Sequence, residues 1–417
     1  MTRQVHVAIL HYAAPPIIGG VETTIYYHAL HLSRLGYRVT VIAGRGAAFA
    51  PQVDFIAEPM VDSRFPPLAE VNEQLAQGEV STAFDRWREH IYQRLRERLQ
   101  GVQVLIVHNA LTLHKNLPLT AALHRLAQEG FPIIGWCHDF AWQDALYIPV
   151  LRDAYPWNLL KTPWPGVKYV VVSEHRREQL ARLLNLPAQE ISVVPPGVEP
   201  TRLLRLSPDT QRLADRLRLW EADPLFILPA RITRRKNIQF ALRMLAALRG
   251  RWPDPMLVVT GPPGPHNPTN VAYLEQLMRL RQELALQAQV HFLYQHGEQG
   301  KPLEVSEAVL AELYLLADAL LFPSLREGFG IPVLEAGLLR LPIFAADIPP
   351  VRESAGDLAV TFDPEGSPEE AAERVASWLA QDPIYAMRRR VKQRYIWAQI
   401  VRHQVVPLIE SVLRSEP

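Results

Sequence analysis

The sequence predicts an α/β protein built from two doubly wound parallel sheets. Three observations carry that expectation. Short apolar, β-branched runs recur along the chain. Stretches with apolar residues at helical spacing separate them, such as "TTIYYHALHLSRLG" and "IQFALRMLAALRG". At 417 residues the chain also exceeds what one hydrophobic core usually serves. Buried strands alternating with amphipathic helices mean parallel sheets covered on both faces.

In chain order, the first six strands are expected at "VHVAIL" (5–10), "RVTVIAG" (38–44), "VQVLIVHN" (102–109), "FPIIGWCH" (131–138), "VKYVVVS" (167–173) and "ISVVPPG" (191–197). The second six are "PLFILPA" (224–230), "PMLVVTG" (255–261), "VHFLY" (290–294), "ALLFPS" (319–324), "LPIFAAD" (341–347) and "LAVTF" (358–362). Between the second and third runs, "STAFDRWREHIYQRLRERL" places Phe84, Trp87, Ile91, Leu95 and Leu99 on one stripe, the pattern of an amphipathic surface helix. The boundary is expected near 197–224, giving domains of residues 1–200 and 201–384.

Composition narrows the function classes. A net charge of +1 gives no general reason to expect a nucleic-acid partner. One cysteine, Cys137, excludes an internal disulfide framework and fits a reducing compartment. The N-terminal residues run straight into a strand pattern, and no run approaches the length of a membrane span. The expectation is a soluble, cytoplasmic protein. Thirty-six prolines, and arginine (38) far above lysine (6), suit a thermophile or a GC-rich genome equally.

Ligands of doubly wound sheets bind beyond the carboxyl ends of the strands, and the polar oddities of this sequence gather there. After the first strand, "HYAAPPIIGGVETT" sets Gly19 and Gly20 at a helix start, either to admit a phosphate or sugar or simply to make a tight turn. It is not G-x-G-x-x-G, and the second strand ends without the ribose-binding acid of dehydrogenases. After the fourth, His138 and Asp139 suit a substrate hydroxyl or a proton; a loop histidine with ordinary hydrogen bonds reads equally well. After "PLFILPA" come Arg231, Arg234, Arg235 and Lys236, cations suited to a diphosphate or, taken alone, a solvated basic loop. "FPSLREGFGIPVLEAG" flanks the Gly328-Phe329-Gly330 bend with Glu327 and Glu335 and begins a helix at Ile331-Pro332. Free backbone N–H groups in such a bend favour an anion, whereas two carboxylates favour hydroxyls. A sugar nucleotide offers both. The thirteen histidines besides His138 show no metal-binding spacing.

On these residues the chain resembles the retaining GT-B glycosyltransferases of family 4. "REGFGIPVLEAG" is similar to that family's E-x7-E motif, "ARITRRKN" to its phosphate-binding segment, "PPIIGGVE" to its N-terminal glycine loop and "VVPPGVE" to its "PNGVD" segment, all in the family's order. Pro196 stands where the family has asparagine, and the loops 261–271 and 294–305 are longer than usual. The resemblance implies a GT-B fold, with two Rossmann-like domains facing a central cleft. It also implies C-terminal helices, residues 385–417, that return to the first, acceptor-binding domain.

The roles it implies are these. Arg231 and Lys236 hold the donor diphosphate; the Phe329–Ile331 amides with Gly328, Gly330 and Glu327 hold sugar hydroxyls; Glu335 binds the ribose. Gly19 and Gly20 approach the donor, His138 touches its sugar near the reacting centre, and Asp139 meets the acceptor. A hexosyl unit would pass with retention from a GDP-mannose or UDP-glucose type donor to a hydroxyl of a small solute, oligosaccharide or lipid-linked glycan. No metal or other cofactor is expected, and peripheral membrane contact is left open. The alternative is a GT-B sugar-nucleotide epimerase or a non-catalytic sugar-nucleotide-binding protein.

Overall fold

Thirteen parallel strands form two sheets in the computed structural model, which describes residues 4–265, 269–297 and 301–414. The longer loops 261–271 and 294–305 include residues 266–268 and 298–300, which lie outside the described residues. The chain divides into two units, one of residues up to Val198 plus those from Tyr395 onward, the other Glu199–Arg394.

The first unit contains β1 (His6–Ala13), β2 (Arg38–Arg45), β3 (Asp54–Ala57), β4 (Val104–His108), β5 (Ile133–Cys137), β6 (Lys168–Val171) and β7 (Ser192–Val193). Their order is β3-β2-β1-β4-β5-β6-β7. In β1, Ile9 pairs with Val41 on one side and Ile106 on the other. Val7 and Ile9 belong to one apolar cluster, Ala8 and Leu10 to another, so both faces are covered. That is why these strands read as unbroken apolar runs.

The second unit contains β8 (Leu225–Leu228), β9 (Met256–Val259), β10 (Val290–Phe292), β11 (Ala319–Phe322), β12 (Ile343–Ala346) and β13 (Val360–Phe362), in the order β10-β9-β8-β11-β12-β13. In each sheet the strand order reverses once, between β1 and β4 in the first and between β8 and β11 in the second. A crevice at the carboxyl ends follows from each reversal.

Two expectations need correction. The twelve expected strands omitted β3, which reads "DFIA" and is only partly buried at the sheet edge. An edge strand with little apolar burial carries no strong pattern. The return to the first unit also begins at Tyr395 rather than 385. The helix Pro383–Arg394 stays with the second unit because two buried acids hold it. Asp223 accepts from Tyr385 Oη at 2.6 Å and from Arg389 Nε at 2.7 Å; Asp318 accepts from Arg388 Nε at 2.7 Å and Lys392 Nζ at 2.9 Å. Buried acids are stable only when paired and hydrogen-bonded, which fixes this basic helix in place.

Beyond Tyr395, the side chains of Trp397, Ile400, Val401, Val405 and Ile409 join the cluster of Val7, Ile9 and Ile106. Trp397 stacks on Tyr27, with ring centroids 5.3 Å apart. Gly197 of "VVPPGVE" lies against it. A Cβ there would come within 2.9 Å of the Trp397 ring, so the glycine admits the tryptophan.

Candidate functional site

In the first unit, the carboxyl ends of β1, β4 and β5 deliver His11, His108 and His138. A cavity of about 660 Å³ lies at this end of the sheet, with His11, Gly20, Arg45, Arg64, Lys115 and Asp139 in its wall. Asn109, one residue past β4, adopts φ +60°, a left-handed conformation that asparagine tolerates better than most residues. The turn aims its Oδ1 at the next strand end. Oδ1 accepts the backbone N–H of His138 at 2.8 Å and of Asp139 at 3.3 Å. Asn109 thereby fixes the backbone that presents both expected site residues. Asp139 is exposed and pairs with Arg176 at 3.1 Å.

The histidines act as neutral rings. Burial, then the fields of His138, Lys115 and Arg45, outweighs one backbone bond and lowers His11 to about 4. Its Nδ1 lies 3.0 Å from the His108 carbonyl, which can only accept. The proton therefore sits on Nδ1, and Nε2 keeps its lone pair. Burial, with the Arg176 charge, lowers His138 to about 4. Its Nε2 lies 3.0 Å from His108 Nδ1. Burial also holds His108 well below the usual range and His28 at about 3. Both ring nitrogens of His28 lack a partner; the ring packs edge-on against Trp136, centroids 4.6 Å apart.

Gly19 and Gly20 open the helix Gly20–Arg34, whose start has no side-chain cap. A Cβ on Gly20 would meet nothing within 4 Å, whereas one on Gly19 would collide with the Glu22 carboxylate. Gly20 therefore faces open space, and Gly19 is covered by Glu22.

In the second unit the two chemistry-bearing segments follow β8 and β11, the strands flanking the reversal. The Leu325 N–H donates to the Arg235 carbonyl at 2.9 Å and ties the segments together. Across that seam Lys236 Nζ lies 2.5 Å from Glu327 Oε1, and Arg235 Nη1 lies 3.3 Å from Oε2. The Lys236 and Glu327 side chains are only 10% and 8% exposed, so this pair is almost out of water. Lys236 also sits 5.3 Å from the Phe322 ring centroid. Arg231 is exposed at the end of β8, and Arg234 turns instead to Gln276 and Tyr273.

The bend holds Gly330 at φ +100°, a conformation that favours glycine. Gly330 caps the helix Ile331–Leu338, Pro332 occupies the first turn, and no side chain caps the start. Pro332 has no N–H and the Val333 N–H donates to the Gly330 carbonyl at 2.9 Å, so at this helix start the Ile331 N–H is the one left for a ligand, the usual opening for an anion. Gly328 is exposed, with open space where a Cβ would stand; Phe329 and Ile331 are also exposed. Glu335, half-buried on this helix, accepts the Tyr314 hydroxyl at 2.6 Å. That carboxylate is oriented by a tyrosine and does not cap its own helix.

Thus Arg231, Lys236, Glu327, Gly328, Phe329, Gly330, Ile331 and Glu335 fall in the second unit, and Gly19, Gly20, His138 and Asp139 in the first. Residues that sequence reasoning missed are His11, His108, Asn109 and Tyr314. The dipeptide His108-Asn109 was visible as a polar pair closing an apolar strand. Tyr314 carried no signal. No helix among the described residues is long and apolar enough to cross a membrane.

Comparison with known proteins bears on the family. The family model for group 1 glycosyl transferases matches residues 209–395, and that for Glycosyltransferase Family 4 matches residues 18–202. Mannosylglucosylglycerate synthase of Petrotoga mobilis is 25% identical over 305 residues, 69% of this chain and 69% of that protein. The D-inositol 3-phosphate glycosyltransferase of Rhodococcus erythropolis is 28% identical over 317 residues, 68% and 65% of the two chains. The serotype-specific mannosyltransferase WbdA of Escherichia coli is 40% identical over 92 residues, 21% of this chain and 11% of that protein. Two doubly wound sheets, each matched by one half of the same enzyme family, lead to one conclusion: the chain belongs to the family 4 glycosyltransferases of GT-B fold and is a hexosyltransferase.

Proposed function

We propose that the chain moves a hexosyl unit, with retention, from a nucleoside-diphosphate sugar to an acceptor hydroxyl. The observation that carries the reading is in the second unit. A buried Lys236–Glu327 pair, an exposed Arg231 and an uncapped helix start follow the two strands that flank the reversal, β8 and β11. Arg231 and Lys236 take the diphosphate, the amides from Phe329 to Ile331 and Glu327 take the sugar, and Glu335 takes the ribose. In the resting protein Glu327 keeps Lys236 in position. His138, neutral and held by Asn109 and His108, meets a hydroxyl of the substrate, and Asp139 serves the acceptor.

In the reaction the bond from the sugar's anomeric carbon to the diphosphate oxygen breaks, and its electron pair leaves with the diphosphate. The acceptor hydroxyl attacks the same face, and its proton passes to the departing phosphate oxygen. Positioning and stabilisation of the leaving charge supply the acceleration, with the chain's own cations in place of a metal. Two of the three relatives have mannose in their names and one of these also glucose, which supports a mannosyl or glucosyl donor.

The test is a thermal-shift panel of UDP- and GDP-sugars, followed by hydrolysis of the best binder with and without EDTA, the product anomer read by NMR. Hydrolysis that survives EDTA and releases the donor's anomer is the expected result. An inverted product overturns retention, loss in EDTA overturns the role of the basic pair, and binding without turnover favours a non-catalytic relative.

A further inference from the structure

The cavity of the first unit has an electrostatic character that the transfer reaction does not require. Three permanent cations stand in its wall: Arg45, Arg64 and Lys115. Arg45 is compensated by Asp62 at 2.8 Å. Arg64 and Lys115 are exposed, and among the described residues neither has an acid within ion-pair distance. Two acids share the wall: Asp139 is offset by Arg176 at 3.1 Å, and the Glu22 carboxylate lies against Gly19 at the start of its own helix, so the cations still outnumber the acids.

Arg45, Arg64 and Lys115 stand in the same wall as His11, at the carboxyl end of β1, and the charges of Lys115 and Arg45 reach its ring. The remaining polar groups suit hydroxyls. His11 offers the Nε2 lone pair, and Asn72 and Ser63 are also in the wall. A volume of about 660 Å³ suits a small molecule.

We infer that this cavity takes a small, hydroxyl-bearing anion as the glycosyl acceptor, with Arg64 and Lys115 holding its phosphate or carboxylate and His11 Nε2 accepting one of its hydroxyls. The inference rests on the reading of this chain as a transferase. It adds the chemical class of the acceptor. A charged hydrogen bond at a site of this kind is worth about 10- to 100-fold in affinity. A neutral sugar of the same shape therefore binds at least ~10-fold more weakly, and added salt narrows the gap.

The experiment uses the full chain without donor, so its outcome is independent of whether the donor reading holds. Glucose, glucose 6-phosphate and glucuronate are titrated by calorimetry into the wild type, Lys115→Met, Arg64→Met and the control Arg182→Gln, which lies outside the cavity wall. The expected result is tighter binding of one or both anions than of glucose, a preference reduced ~10-fold or more in Lys115→Met and Arg64→Met and kept in Arg182→Gln. The phosphate and carboxylate arms tell which anion the site prefers. Equal binding of all three sugars overturns the inference, and so does an anion preference that survives both substitutions. Thermal melts of each variant keep a folding defect from passing as a binding defect.

Discussion

Replacing Glu327 by Gln should destabilise the second unit more than any single surface substitution, and removing Lys236 as well should restore part of the loss. Lys236 and Glu327 lie 2.5 Å apart, both at least nine-tenths buried. Breaking a buried pair by removing one partner costs about 3–5 kcal/mol, because the other charge stays buried without compensation. The two single variants are not equivalent. In Lys236→Met, Glu327 still has Arg235 at 3.3 Å, although that guanidinium is half exposed and its field is screened. In Glu327→Gln, the Lys236 ammonium loses its compensating charge and keeps a neutral amide oxygen and the Phe322 ring, the latter worth about 0.5–2 kcal/mol. Lys236→Met should therefore fall near the lower end of that range and Glu327→Gln near the upper. The double variant Lys236→Met/Glu327→Gln leaves no net charge buried, so a coupling of about 2–3 kcal/mol is expected, within the usual span for contacting residues.

The two units need not unfold together, so a global melt would blur the result. Hydrogen exchange of peptides covering β8 with the following loop and β11 with the bend reads the local stability directly. Saturating UDP or GDP gives a second reading. If Lys236 exchanges Glu327 for a phosphate, the coupling should shrink in the nucleotide complex. Single-variant effects within ~0.5 kcal/mol, or a strictly additive double variant, would refute the claim that this pair is a coupled, buried unit.

Two further outcomes are expected. His11 and His138 titrate near 4 and His28 near 3, against 6.5 when unfolded, so between those values the unfolded chain binds more protons. Stability is then full above about pH 6.5 and falls as pH drops toward 4, by about 1.4 kcal/mol per pH unit for each histidine. Replacing His28, whose ring nitrogens have no partner, by Phe should lower that slope by one proton in pH-dependent exchange of β1 and β4 peptides. An unchanged slope would mean that His28 does not titrate with unfolding. Tyr314→Phe removes the 2.6 Å bond to Glu335 and should weaken free UDP or GDP by ~10-fold while leaving turnover at saturating donor nearly intact. A fall in turnover with unchanged nucleotide affinity would take Glu335 away from the ribose.

What the sequence made legible was whatever repeats locally. β1 and β11 announce themselves because buried parallel strands are apolar throughout. Glu327, Gly330 and Lys236 stand out because polar or flexible residues at strand ends are conspicuous. Partners far apart in sequence were not legible. Nothing near Lys236 says that its acid lies 91 residues away, and nothing near the basic helix Pro383–Arg394 says that Asp223 and Asp318 will hold it. β3 was lost for the opposite reason, since a half-buried edge strand has too little pattern to read. His11, just past the first expected run, and His108, closing the third, carried no spacing that joins them, because their meeting depends on β1 and β4 being neighbours in the sheet.

The two strand-end sites solve one problem in different ways. On the function proposed above, both receive polar ligands beside a dry core, where an isolated charge is expensive. The first unit keeps its histidines neutral by burial, so they serve as directional hydrogen-bond partners rather than cations. Permanent charge there must come from side chains nearer solvent, and Arg64 and Lys115 are such side chains. The second unit instead buries its cation and neutralises it with Glu327, leaving Arg231 outside. A phosphate entering that site meets an ammonium already desolvated and held in place, so part of the cost of binding has been met in folding. Such a device suits a site that must bind a diphosphate and stabilise it again as it leaves. The cavity of the first unit, with exposed cations and fixed neutral acceptors, suits a ligand that needs only to be held and oriented.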